Sequence, residues 1–108
     1  MNYSVSLKSN RDFRRLYSQG KQVVSPTMVL YVRKNRLDQN RLGITVSKKL
    51  GNAVTRNKVR RRIREIYRLH EEKFSSGLDL VVVARVRGAH VSYWTLDRDF
   101  MKLARKLG

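Results

Sequence analysis

The chain of 108 residues has 25 Lys and Arg against 8 Asp and Glu, a formal net charge of +17. This length indicates one domain, residues 1–108, and a hydrophobic fraction of 41% is enough for a folded core. The absence of cysteine excludes disulfides, thiolate catalysis and Cys-based zinc sites. No run approaches the roughly 18 apolar residues of a membrane span, and the first residues lack a secretory core. We therefore expect a soluble, cytoplasmic protein.

The first predicted element is a helix at about residues 10–18. Ser9 and Asp12 have the spacing of a capping box at its start. Phe13 and Tyr17 recur at the helical period, which is typical of side chains that pack into a core. The alternative is that the two aromatic rings border a binding face.

Three strands are expected next, a short one at residues 22–24 and longer ones at residues 28–33 and 41–47. The polar turn at residues 35–40 predicts that the two longer strands pair as a hairpin. Alternation places apolar residues on one face of these strands. The opposite face would carry Val29, Tyr31, Arg33, Thr45 and Ser47.

The most distinctive stretch, residues 48–64, contains eight Lys or Arg and no acid. A loop over residues 48–54 is expected to lead into a helix over about residues 56–74, with Asn52 or Thr55 as its cap. Its apolar stripe would be Val59, Ile63, Ile66, Tyr67, His70 and Phe74, and its charged flank Asn57, Arg60, Arg61, Arg64 and Arg68. Solvated helix faces usually mix both signs of charge, so this flank predicts a polyanionic partner.

The apolar run at residues 78–84 predicts a strand covered on both faces, either central or parallel. With the strand and the basic helix before it, this run forms a βαβ unit. A loop and a last helix capped by Ser92 follow, with Trp94 off the buried stripe. The order αβββαβα predicts an α+β sandwich in which helices pack a small sheet.

No group of residues in the sequence suits catalysis or metal binding. The acids are scattered, and Glu71 and Glu72 diverge by about 100° on a helix, as expected of a solvated surface. His70 lies on the apolar stripe and is expected to be a packed core histidine. His90, in a loop, has no visible partner. If the protein takes part in a reaction, another component is expected to perform the chemistry.

The charge balance favours a nucleic acid as the partner. An anionic membrane would call for one continuous amphipathic helix, whereas the apolar residues here are committed to a core. A strand, not a short helix, precedes the basic helix, which argues against a helix-turn-helix. Aromatic residues beside a basic helix suit a single-stranded nucleic acid.

Residues 45–65 closely resemble the signature of the bacterial ribonuclease P protein family. The shared pattern is Ser-Lys-Lys-x-Gly-x-Ala-Val-x-Arg-Asn-x-x-(Lys/Arg)-Arg-x-(Ile/Leu)-Arg, which starts here at Ser47. The resemblance extends to Leu7, Asp12, Phe13, Tyr17, Gly20, Leu30, Tyr31 and residues 79–85. It therefore spans nearly the whole chain, with one departure at Ser6, where many members carry Arg.

The resemblance implies the protein subunit of a ribonucleoprotein endoribonuclease that removes the 5′ leader of precursor tRNA. In that family the partner ribonuclease P RNA does the chemistry, with Mg²⁺ bound mainly by that RNA and the substrate. The resemblance further implies a monomeric protein, bound 1:1 to the RNA, and a left-handed βαβ crossover. A structural RNA-binding protein of the ribosomal type remains the alternative, and a protein-only nuclease is a third.

The resemblance also implies two sets of RNA-contacting residues. The set that would bind the catalytic RNA is Lys49, Asn52, Arg56, Asn57, Lys58, Arg60, Arg61 and Arg64. The set that would line a cleft for the leader is Phe13, Tyr17, Tyr31, Val46, Ser47 and Lys48.

Overall fold

A computed structural model describes residues 4–107, which form one five-stranded sheet packed by three helices. The elements are β1 (Ser4–Ser6), α1 (Asn10–Gln19), β2 (Lys21–Val24), β3 (Met28–Lys34), β4 (Asn40–Thr45), α2 (Ala53–His70), β5 (Leu78–Ala84) and α3 (Tyr93–Leu107). Short 3-10 turns lie at Lys48–Leu50, Glu71–Lys73 and Val86–His90. The α+β class is confirmed, and β1 is a strand that the sequence did not predict. No helix in this range is both long and apolar enough to cross a membrane.

The sheet order is β1-β4-β5-β3-β2, so β5 lies at the centre. It runs parallel to β4 and antiparallel to β3, which confirms the predicted central strand and the βαβ unit β4–α2–β5. The predicted hairpin of β3 with β4 is wrong, because β5 separates them and β3 pairs with β2 instead. A β3–β4 hairpin would have left an apolar β5 at an edge. The handedness of the crossover stays a prediction.

The main core lies between one face of the sheet and the helices α2 and α3. Leu30 of β3 and Leu80 and Val82 of β5 are fully buried against the apolar stripe of α2. At its centre the rings of Tyr67 and Phe100 meet edge to face, with centroids 6.4 Å apart. Each such side chain contributes about 1.5–3 kcal/mol when it leaves water, and this burial holds α2 on the sheet.

The helix starts are fixed by hydrogen bonds close in the sequence. The Asn52 side chain accepts a hydrogen bond from the Thr55 N–H at 2.9 Å, which confirms Asn52 as the cap and starts α2 three residues earlier than predicted. Ser92 caps α3 in the predicted way. Ser9 makes no side-chain cap bond, so the predicted capping box is wrong. Asp12 is drawn instead to Arg41 on the sheet, at 3.3 Å.

Strand β1 completes a buried polar network at the end of α2. The Ser4 hydroxyl donates to the Glu71 carboxylate at 3.0 Å and shares a 2.7 Å hydrogen bond with the Tyr67 hydroxyl. Burial raises the pKa of Tyr67, although its hydrogen bonds partly oppose this. The prediction that Glu71 lies on a solvated surface is wrong, since it is buried; its neighbour Glu72 is exposed.

An ion pair joins strands β4 and β5 on the other face of the sheet. The Arg41 guanidinium donates two hydrogen bonds of 2.7 Å to the Asp79 carboxylate, and Asn35 donates a third at 2.9 Å. Burial alone would raise the pKa of Asp79. The hydrogen bonds and the nearby positive charges outweigh burial and hold that pKa below its ordinary value.

Replacing Asp79 should expose the pH dependence of this ion pair. Ionised Asp79 stabilises the fold above its unfolded pKa of about 3.9, and the contribution is lost as the pH falls through the lower native pKa. We expect Asp79→Asn to lower the free energy of unfolding at pH 7 by about 1–3 kcal/mol. Its stability should then fall less than the parent's on acidification. Urea unfolding at pH 7, 5 and 3, with exposed Asp38→Asn as control, measures this; parallel pH profiles would contradict it.

Candidate nucleic-acid interface

Helix α1 lies across the face of the sheet that α2 and α3 leave uncovered. Leu16 of α1 packs with Leu7 and Val81 in a second, smaller core. Phe13 sits directly over Gly43 of β4, where a Cβ atom would come within 2.5 Å of the phenyl ring. Glycine at this position therefore allows the ring to rest on the sheet. A glycine inside a strand often marks such a close approach.

Helix α1 and strand β3 together form an aromatic face, which consists of Phe13, Tyr17 and Tyr31. The rings of Tyr17 and Tyr31 meet edge to face at 5.0 Å, and those of Phe13 and Tyr17 lie 6.3 Å apart. The Tyr17 hydroxyl shares a 2.9 Å hydrogen bond with Thr45 of β4. Tyr17 is 41% exposed while the other two rings are half-buried. Their predicted place on one face is confirmed; contact with a leader stays a prediction.

Two polar side chains that the sequence did not predict, those of Asn10 and Arg14, lie beside the aromatic face. Asn10 and Arg14 of α1 line a shallow hollow of about 400 Å³ together with Phe13, Tyr17 and Thr45. Asn10 lies three residues before Phe13, and Arg14 lies three residues before Tyr17. That helical spacing was the available signal.

The turn after β4 presents Ser47, Lys48 and Lys49 to solvent, as predicted. Val46 behaves differently, because its side chain is only 7% exposed and packs with Leu50 in the main core. The structure thus corrects the placement of the Val46 side chain in the cleft. Strand alternation, which already put it on the same face as Leu42 and Ile44, was the better guide.

The basic flank of α2 consists of Arg56, Asn57, Arg60 and Arg64. Asn57 and Arg64 are exposed, and the other two are half-buried. Arg61, which was predicted with them, is exposed but lines a separate hollow with Arg62 and Glu65. The Arg60 guanidinium donates to the Asn57 side chain at 3.1 Å, which holds the two side chains together. Lys58, the residue after Asn57, is also exposed. Asn52 is exposed too, although its side-chain oxygen caps the helix.

A groove joins the aromatic face to the basic flank. It encloses about 250 Å³ and is lined by Ser6, Phe13, Gly43, Arg60 and Arg64, among others. Ser6 is the last residue of β1, so the unpredicted strand forms part of this wall. The two predicted residue sets, far apart in the sequence, therefore make one continuous surface.

Ion pairs offset the acids nearest to this surface. Asp12 contacts Arg41, and Glu65 accepts two hydrogen bonds from Arg68 that hold the pKa of its carboxyl below the ordinary value. His70 stacks on Phe100 as a packed histidine, but it is half-buried at the edge of the core and bonds to Asp97 at 2.8 Å. Within residues 4–107 no three His, Asp or Glu side chains gather as they would to hold a metal ion. The surface can bind and orient an anion.

This fold is that of known ribonuclease P proteins. The Staphylococcus aureus protein matches it with a TM-score of 0.87 and 36% identity, over 97% of this chain and 94% of that one. The Thermotoga maritima protein matches with a TM-score of 0.83 and 35% identity, over 93% of this chain and 96% of that one.

Sequence comparison gives the same assignment. The family model for ribonuclease P matches residues 1–108. The ribonuclease P protein component of Natranaerobius thermophilus is 42% identical over 106 residues, which cover 98% of this chain and 92% of that protein. The chain belongs to the ribonuclease P protein family. The resemblance seen in residues 45–65 is therefore confirmed.

The contact between Gly43 and Phe13 can be tested by a double-mutant cycle. In Gly43→Ala the new Cβ would clash with the ring, and we expect a loss of about 1–3 kcal/mol in the free energy of unfolding. In a Phe13→Ala background the clash is gone, so the same substitution should cost much less. Urea unfolding of the four proteins measures both values. An equal cost in both backgrounds would show that Phe13 does not rest on Gly43.

Proposed function

We propose that this chain is the protein subunit of a cytoplasmic ribonuclease P and acts in tRNA 5′ maturation. Family membership supports a role within that ribonucleoprotein. The observation that carries the proposal further is the groove between the aromatic face and the basic flank. One surface of this shape suits two RNA segments at once, a folded one on α2 and a single strand on the sheet.

In this proposal the basic flank of α2 binds the ribonuclease P RNA. Arg60 and Arg64 can each offer a planar, bidentate donor pair to a phosphate. Lys48 and Lys49 lie just before the N-terminal end of α2, which adds exposed N–H groups and partial positive charge. Each phosphate neutralised releases counterions, so the affinity should depend steeply on salt.

The aromatic face then holds the single-stranded 5′ leader of precursor tRNA. Exposed rings such as Tyr17 stack on any base, and hydroxyl and ammonium groups of Ser47 and Lys48 can contact the backbone. The groove past Phe13 connects this strand to the RNA on α2. The protein would thereby orient the leader relative to the catalytic RNA.

We propose that the RNA performs the cleavage and that Mg²⁺, which it and the substrate mainly bind, supplies the metal chemistry. The acids of this chain close to the aromatic face are engaged within the fold. Asp12 and Asp79 both contact Arg41. The residues left to act on RNA are donors and aromatic rings, which bind and position.

A structural role of the ribosomal type is the competing proposal. Such a protein would use the basic flank alone, and the aromatic face would have no dedicated ligand. Loss of the aromatic rings would then leave every RNA affinity unchanged apart from effects on folding. The following two experiments separate these possibilities.

Removing charge from the basic flank should weaken binding to ribonuclease P RNA. For Arg60→Ala with Arg64→Ala we expect a lower affinity and a salt slope reduced by up to about two, because two phosphate contacts disappear. Filter binding across a range of KCl concentrations measures both. The control is Arg105→Ala with Lys106→Ala, which removes the same charge at the end of α3. If both double mutants lose the same RNA affinity, the effect comes from net charge and not from the basic flank.

Removing the exposed ring should act on the leader alone. With the assembled protein–RNA complex, Tyr17→Ala should bind precursor tRNA about 5- to 100-fold more weakly, the expected value of one base stack. Leaderless tRNA should bind as before, and Tyr17→Phe should keep most of the affinity. Phe13→Ala should act similarly, with urea unfolding as the check for lost stability. The cleft assignment fails if Tyr17→Ala weakens both substrates equally.

A further inference from the structure

The opposite flank of α2 meets the start of α3 at a second aromatic pair. Trp94, the single tryptophan of the chain, is 75% exposed, and its ring stands edge-on to Tyr93 with centroids 5.2 Å apart. The core side of α3 is filled by other residues, among them Leu96 and Phe100. Trp94 is thus a large apolar ring held at a helix start, with most of its surface open to solvent.

A small hollow lies next to Tyr93, the partner of Trp94 in this pair. It encloses about 330 Å³ and is lined by Arg61, Arg62, Glu65 and Tyr93. Two contacts hold its lining in place: Tyr93 packs against the main core, and the Arg62 guanidinium donates to the Val91 carbonyl, just before α3, at 3.3 Å. The hollow is therefore held in place before any partner binds.

The surroundings of the hollow are cationic. Glu65 is bound by Arg68 through hydrogen bonds of 2.6 and 3.0 Å, so its charge is offset. Arg61 is exposed, and Arg98, one helical turn after Trp94, keeps 63% of its side chain in solvent. An anionic, planar partner fits this combination of open rings and guanidinium groups.

We propose that Trp94 and Tyr93, with Arg61 and Arg62, bind an unpaired nucleotide of the same folded RNA that contacts Arg60 and Arg64. The base stacks on the indole ring, and the guanidinium groups face its phosphate. The RNA then contacts α2 on both flanks, because Arg60 lines the groove while Arg62 lines the hollow beside Tyr93. The RNA occupant rests on the proposed function; the site itself rests on the aromatic pair and the hollow.

The single tryptophan reports on this site directly. Intact protein is titrated with ribonuclease P RNA to saturation, and the quenching of Trp94 emission by acrylamide is compared with and without RNA. We expect the quenching slope to fall severalfold in the complex. An unchanged slope in a complex that gel shift shows to be fully formed would overturn the site but leave the proposed function standing. If no complex forms, both fail.

Substitution supplies the second measurement. Trp94→Ala should weaken RNA affinity about 5- to 100-fold, while Trp94→Phe, which can still stack, should recover most of it. The control is Leu37→Ala, which removes an exposed apolar side chain from the turn after β3. All variants should unfold at the parent's urea midpoint. Unchanged RNA affinity in Trp94→Ala would overturn the site. Protection of Trp94 from acrylamide that rises with protein concentration in the absence of RNA would also overturn it, because the ring would then be covered by a second copy of the chain.

Discussion

The burial of β5 is the constraint on which the rest of the structure depends. Leu80, Val81 and Val82 have no exposed surface, so this strand needs cover on both faces and a partner at both edges. Helices α2 and α3 pack on one face. Within residues 4–107, α1, a helix of ten residues, and Leu7 cover only part of the other face. That incomplete cover creates the aromatic face.

The packing of α2 on the sheet also determines where its charged side chains lie. Its apolar stripe packs against the sheet, so five of the eight cations of residues 48–64 are exposed and the other three half-buried, all of one sign and close enough to repel one another. An anionic partner would relieve that repulsion. Because β1 brings Ser6 and its wall of the groove next to Arg60, the charged flank and the aromatic face become one surface. In the proposed function, this continuity couples the binding of a folded RNA to the binding of a single strand.

Features set by local sequence were predictable, and those set by distant contacts were not. The bounds of β5, the Asn52 cap and the charged flank of α2 follow from periodicity and short-range hydrogen bonds. The position of β5 between β3 and β4 depends on pairing that no local pattern records. Strand β1 is three residues long, and Glu71 is buried through Ser4, a residue 67 positions away. The groove depends on all of these contacts, so the sequence predicted its residues but not their continuity.

In the proposed function, this chain assists an RNA that performs the cleavage. Precursor tRNA is incubated at low Mg²⁺ with the protein, with ribonuclease P RNA, and with both. We expect no cleavage by the protein alone and faster release of the leader with both components than with the RNA alone. Equal rates with and without the protein, or metal-dependent cleavage by the isolated protein, would contradict the account.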